Sequence, residues 1–226
     1  KKKKKTFDLP FRILITGKTG MGKTNILSNF LLNDNPEFYR NDFEPENIFI
    51  FSNSLSGDRK LKIIIRELDI PEENLFDKYD EDAVEVIYDM LVDNYNEAIE
   101  EGEPVKHSLF IFDDVSFDGS LKGKEKESQM NRIFMNGRKF LISTIATAQK
   151  YSSFGTGLRE NASGLLLGKS SNKQLDLIEQ DHNYLKNKKD FRDMMIRETE
   201  KPFSFLVINF SKPEIYFDKN FEPIDI

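Results

Sequence analysis

The chain has 226 residues with a net charge of −6, 38% hydrophobic and 32% charged residues, twenty phenylalanines, two histidines and no cysteine. That length supports one substantial core rather than two ordinary domains, and the missing cysteines exclude disulfides and thiolate metal sites, with His107 and His182 too few for a structural zinc. The acidic total argues against a surface coated in positive potential, so any nucleic-acid contact must be local.

The opening run Lys1 to Lys5 repels itself. Residues 1–10 are therefore expected to form a basic, flexible tail, with a DNA-binding arm or a nuclear address as the alternatives, and residues 11–226 a single domain. No apolar run approaches the roughly 20 residues of a membrane helix, and "KKKKKTFDLP" lacks the apolar segment of a signal peptide. The expectation is a soluble, intracellular protein. Next comes "FRILIT", an apolar run of strand length, followed by a glycine-rich turn and a helix through "TNILSNFLL". Residues 47–53, "NIFIFSN", form a second strand, and Leu61, Ile64, Ile65 and Leu68 have the spacing of one helix face over 58–68. Over 81–101, Val84, Ile87, Leu91, Tyr95 and Ala98 make another such stripe, with Asp89, Asp93, Glu97 and Glu100 on the solvated side. "HSLFIFDD" is a buried-type strand ending in two aspartates, "KEKESQMNRIFMNGRK" a helix, and "FLISTIATAQ" a strand ending on a polar residue. "SGLLLGKS" and "FSFLVINF" are further strands around helices near 172–180 and 190–198, and "EIYFD" is an edge strand. Alternating strands and helices of this kind predict an α/β fold with a mainly parallel central sheet covered by helices.

Within "ITGKTGMGKTNIL", Gly17, Gly22, Lys23 and Thr24 satisfy G-x-x-x-x-G-K-[ST], the Walker A pattern, with the strand before it and the helix after it that the pattern demands. Glycines let successive N–H groups turn inward onto phosphate oxygens, and the helix start adds partial positive charge. Gly17, Lys18, Thr19, Gly20, Met21, Gly22, Lys23, Thr24 and Asn25 are thus expected to bind a nucleoside triphosphate, ATP by default. Lys23 would reach the β- and γ-phosphates, and the Thr24 hydroxyl would meet Mg2+. The second half of such a site is a carboxylate at the end of a neighbouring buried strand, which "LFIFDD" supplies. Asp113 is assigned to the metal and Asp114 to the attacking water as general base; the alternative is a pair of turn formers. "NKKD" at 187–190 matches a guanine-reading pattern but follows no apolar strand, and is expected to be a surface turn. Gln149 ends a strand at the same sheet edge as the phosphates, either as a γ-phosphate sensor or as a polar cap. Arg138 and Arg159 flank that strand, each an arginine finger toward a neighbouring subunit or a surface charge. Lys122, Lys124 and Lys126 lie among glycines in "SFDGSLKGKEKES"; repeated around an assembly they would contact DNA phosphates without reading sequence.

The series "GKTGMGKT", "LFIFDD", "NGRKFLISTIATAQ" and "GLRENASGLLLG" resembles the genome-packaging ATPases of large DNA viruses, the poxvirus-type branch of the FtsK/HerA superfamily, over residues 11–171. The resemblance implies a three-layer αβα P-loop NTPase of RecA/ASCE type with an additional strand between the two phosphate-site strands. It further implies ATP and Mg2+ as cofactors, a water-activating acid at Asp114, a sensing glutamine at Gln149 and a trans-acting arginine at Arg138 or Arg159. Asp114 stands where cellular relatives commonly carry glutamate. A homo-oligomeric ring, hexamer or pentamer, around double-stranded DNA is implied, with capsid or vertex proteins as partners, in the virion or the host cytoplasm and viral factory. The function expected is an ATP-driven translocase that packages a viral genome. A cellular HerA-type DNA pump, a small-molecule phosphotransferase and a slowly hydrolysing nucleotide-switched binding module are the rivals.

Overall fold

A computed structural model describes residues 6–115 and 128–225. The lysine run at 1–5 and the loop lysines Lys122, Lys124 and Lys126 lie outside the described residues. Among the described residues, eight strands form one sheet in the order β3-β2-β4-β5-β1-β6-β7-β8. In chain order these are β1 (Arg12–Thr16), β2 (Ile48–Ser52), β3 (Leu75–Phe76), β4 (Ser108–Asp113), β5 (Ile142–Ala148), β6 (Gly164–Leu167), β7 (Leu206–Asn209) and β8 (Tyr216–Phe217). All neighbours from β3 to β6 run parallel, while β6–β7 and β7–β8 are antiparallel. The expected additional strand is β5, which lies between β4 and β1.

Parallel strands covered on both faces carry apolar side chains at every position, because alternation has no solvent face to serve. Every residue of β2, β4 and β5 is buried accordingly. Successive side chains still point to opposite faces, and this splits the interior into two cores. Leu14, Phe49, Phe51, Phe110 and Phe112 join the cluster under α3 (Glu81–Glu101), α4 (Gln129–Asn136), α6 (Asn172–His182) and α7 (Lys188–Thr199). Ile13, Ile15, Ile48, Ile50, Leu109 and Ile111 join the opposite one under α1 (Lys23–Leu32) and α2 (Arg59–Glu67). Three layers, helix on sheet on helix, follow. One face is aromatic, with Phe51 stacked on Phe76 at 4.4 Å and Phe110 near-parallel to Phe112 at 5.7 Å; each fully buried ring contributes roughly 1.5–3 kcal/mol of transfer free energy.

Helix ends follow local chemistry. Asp58 caps α2 by accepting from Lys60 N and Leu61 N, Asp80 caps α3 by accepting from Ala83 N, and Gly102 closes α3 at φ +71°. Two boundaries differ from the sequence reading. Thr6 and Phe7 are buried, Phe7 N donates to the Tyr39 hydroxyl at 2.8 Å, and the Phe7 ring fills the space above Gly164, so residues 6 and 7, expected in the tail, belong to the packed domain. The helix expected from 124 is described only from Gln129, capped by Ser128, and ends at Asn136 in a 3-10 turn, Gly137–Phe140. Among the described residues, no helix is long and apolar enough to cross a membrane.

Candidate functional site: a phosphate loop facing paired aspartates

Residues 17–24 leave the carboxyl end of β1 and curl into α1. Gly17 N donates to Ala148 O at 3.2 Å, which ties the loop entry to β5, and Met21 N donates to Lys18 O at 3.1 Å inside the turn. Gly20 and Gly22 have φ of +83° and +93°, a region that side chains with a Cβ rarely occupy. Gly168, at the end of β6, passes so close that a Cβ there would lie 3.0 Å from Thr16 O. No protein side chain caps α1 and no acid occupies its first turn, so its amides and dipole are available to an anion. Lys23 Nζ donates to Gly17 O at 2.6 Å, leaving two of its three N–H bonds for phosphate oxygens. Burial lowers the Lys23 ammonium below its ordinary range, with Asp114 and Asp113 pulling the other way.

The acids stand across the same cavity, whose volume is about 480 Å³ and whose walls include Thr19, Lys23, Thr24, Asp58, Asp113 and Asp114. Asp113 is only 3% exposed. Its two oxygens accept from Ser52 Oγ at 3.1 Å and Thr147 Oγ1 at 2.8 Å. Burial raises its carboxyl above the usual range; those two hydroxyls oppose the rise, and the negative fields of Asp114 and Asp58 add to it. A cation against this group would relieve that desolvation directly. Thr147 Oγ1 also accepts from Asp114 N at 2.9 Å, so one hydroxyl holds both acids in register. Asp114 turns away through a left-handed backbone, φ +48°, which separates the buried acid from the half-exposed one.

Asp58 was missed as a site residue in the sequence, where it marked only a helix start. Its Oδ1 accepts from Lys60 N at 2.8 Å and Leu61 N at 3.1 Å, while Oδ2 accepts from Thr24 Oγ1 at 3.0 Å. An acid at a helix N-cap, one short turn after a strand's carboxyl end, is the signal that could have found it. Thr147 and Ser52 were missed likewise, since inward polar residues in apolar strands invite no functional reading. The oxygen set of Thr24, Asp58, Asp113 and Asp114 suits Mg2+, a hard ion that keeps few protein ligands.

The model of the poxvirus A32 protein family matches residues 2–212. The chain belongs to that family. Comparison with curated proteins gives no match. The fold is similar to the genome packaging NTPase B204 from Sulfolobus turreted icosahedral virus 2 in complex with AMP, with a TM-score of 0.63 at 12% identity over 97% of this chain and all of that one. The complex of B204 with AMPPCP gives a TM-score of 0.61 at 12% identity, covering 96% and 98% of the two chains. EssC (ATPases 2 and 3) from Geobacillus thermodenitrificans gives 0.56 at 17% identity, over 88% of this chain and 38% of that one. At such identities the likeness establishes the fold, and the A32 membership rests on the family match.

In this A32-family chain Gln149 is exposed one residue past β5. It lines a cleft of about 400 Å³ with Asp114 and Asn53, and another of about 600 Å³ with Lys18 and Thr19. The phosphate loop and the second acid therefore both border it. The two arginines are placed very differently. Arg138 is exposed on the 3-10 turn before β5, at the sheet edge opposite the phosphate loop, where its charge acts on Arg12. Arg159, on α5 (Thr156–Asn161), pairs with Asp181, lies over the Tyr151 ring at 5.4 Å, and is 14% exposed. Tyr151 donates to Asp181 Oδ2 at 2.9 Å and meets His182 Nε2 at 2.5 Å. This network lies apart from the phosphate cavity. Asn187 of "NKKD" caps α7 by accepting from Asp190 N at 2.8 Å, a structural role in keeping with the expected surface turn.

Proposed function

We propose that this A32-family protein is an ATPase that moves double-stranded DNA and packages a viral genome. The observation that carries the reading is one cavity walled on one side by the phosphate loop and on the other by Asp113 and Asp114. The amides of 17–24 and the start of α1 would hold the triphosphate, Lys23 would lie along its β- and γ-phosphates, and Thr24 with Asp113 would hold Mg2+. Mg2+, when bound, supplies charge neutralisation at the transferring phosphoryl group. Asp114, fixed by Thr147 but more exposed than Asp113, would accept the proton of the attacking water. Gln149, between Asp114 and Lys18, would register the γ-phosphate and pass its loss into the 3-10 turn Tyr151–Ser153 that follows.

A ring assembly makes the arginines meaningful. Arg159 is engaged by Asp181 within its own chain, whereas Arg138 projects from the far edge of the sheet. Its exposure favours Arg138 as the residue that would reach a neighbour's phosphates, and Lys122, Lys124 and Lys126 would line the DNA path. Capsid or vertex proteins would dock on the ring in the virion or in infected cytoplasm. The direct test is steady-state ATP hydrolysis by the assembled protein with and without duplex DNA. Stimulation by duplex DNA is expected; equal rates in a verified ring, or turnover by a monomer that needs a small-molecule acceptor, would overturn the motor. Mixing Arg138→Ala with Lys23→Ala subunits checks the finger, with partial recovery of hydrolysis expected and no recovery opposing Arg138.

A further inference from the structure

We infer that Phe203 is the platform on which the nucleobase stacks, an inference that rests on the triphosphate reading of the neighbouring loop. Phe203 sits in the turn before β7, and because β7 runs antiparallel to β6 that turn lies at the same sheet edge as the phosphate loop. It is 58% exposed and takes φ +57°, an arrangement that burial does not explain. A bulky residue in that backbone region is a conformational outlier, and such outliers cluster at active sites and ligand clamps; Asp114, on the wall of the same cavity, shares the region at φ +48°. Two residues on, Phe205 packs normally against Phe221, so the segment has no general need to display aromatics.

The Phe203 ring borders the phosphate cavity beside Gly22, where a Cβ would come 3.2 Å from Phe203 Cδ1 and 3.6 Å from Asn25 Nδ2. Direction along the cavity then assigns the occupant. The end with Lys23, Asp113 and Asp114 suits the γ-phosphate, so the α-phosphate leaves over the first turn of α1, past Gly22 and Asn25. Ribose and base come next, and the exposed ring stands there. The cavity of about 480 Å³ falls within the roughly 300–1,000 Å³ that houses an entire small ligand, more than a phosphate tail requires. Every base has a π-face, so a phenyl platform grips the base without distinguishing sharply among bases. The ligand class is a nucleoside triphosphate, held at the base by Phe203 and at the phosphates by residues 17–24.

The chain contains no tryptophan, so Phe203→Trp installs a sole indole reporter. Titration with ATP is expected to quench it, whereas inorganic tripolyphosphate, which has no base, should bind competitively without that quench. In parallel, Phe203→Ala is expected to weaken ATP binding by about tenfold or more, the range of one aromatic–base stack, and to leave tripolyphosphate affinity unchanged. Phe203→Tyr should retain wild-type affinity. Unchanged ATP affinity in Phe203→Ala, with tripolyphosphate still bound, would overturn the base platform alone. Failure of tripolyphosphate to bind the wild-type protein would overturn the phosphate site, and the platform with it.

Discussion

Replacing His182 with glutamine should remove a defined part of the protein's acid sensitivity. His182 is 5% exposed, and its Nδ1 has no hydrogen-bond partner. With the Tyr151 hydroxyl donating to Asp181, His182 Nε2–H donates to the Tyr151 oxygen and the bare Nδ1 must be the neutral, unprotonated nitrogen. Burial, opposed by the negative field of Asp181 and aided by Arg159, lowers the imidazole from 6.5 to about 4. The folded protein thus resists a proton that the unfolded chain accepts, so stability is full above pH 6.5 and is lost as pH falls toward 4. Each tenfold change in proton affinity is worth about 1.4 kcal/mol, which makes the displacement from 6.5 to about 4 worth about 3 kcal/mol. Urea unfolding followed by circular dichroism at steps between pH 7.5 and 4 measures it. Wild-type stability should fall by about 3 kcal/mol more than that of His182→Gln over this interval, any constant offset between the two proteins cancelling. Parallel losses would refute the buried neutral imidazole and the network assigned to it.

Asp113→Asn should abolish measurable ATP hydrolysis yet raise the melting temperature at neutral pH. The folded carboxyl is raised, so its contribution falls as pH rises through that value, and a neutral isostere on Ser52 and Thr147 escapes the loss. Calorimetry measures the gain; a lowered melting temperature would count against the desolvated acid. Asp58→Asn keeps the cap on α2 and should stay within about 0.5 kcal/mol of wild type in urea unfolding, whereas Asp58→Ala should lose about 1 kcal/mol. Both should weaken Mg-ATP relative to metal-free ATP by about tenfold to a hundredfold in calorimetric titration, as expected for the loss of a carboxylate that holds Thr24. Phe203→Gly relieves the left-handed backbone and should raise the melting temperature by about 2–4 °C while weakening ATP.

The parts of the site visible in sequence are those whose chemistry is local. Gly17 to Thr24 must be bare and positively charged wherever the chain goes next, and an apolar run that ends on acids, such as "LFIFDD", marks the carboxyl end of a buried strand. The stripe over 81–101 matched α3 at both ends because capping residues Asp80 and Gly102 bracket it. What escaped depends on distant partners. β3 is two residues long and α5 six, too short to show a period. Thr6 and Phe7 are ordered by Tyr39, Gly164 and Asn209, none of them near in sequence. Arg159 finds Asp181 twenty-two positions away, which turns an apparently free charge into part of a buried network. Phe203 reaches the phosphate cavity only because β7 returns antiparallel beside β6, a reversal that no spacing within "FSFLVINF" encodes.

A structure of the protein with a non-hydrolysable ATP analogue and Mn2+, the ion located by anomalous scattering, tests the central claim most directly. The account predicts phosphate oxygens within hydrogen-bonding distance of the amides of 17–24 and the ion between Thr24 Oγ1 and Asp113. Nucleotide bound elsewhere on the molecule, or an ion whose shell excludes both residues and their bridging waters, would contradict it.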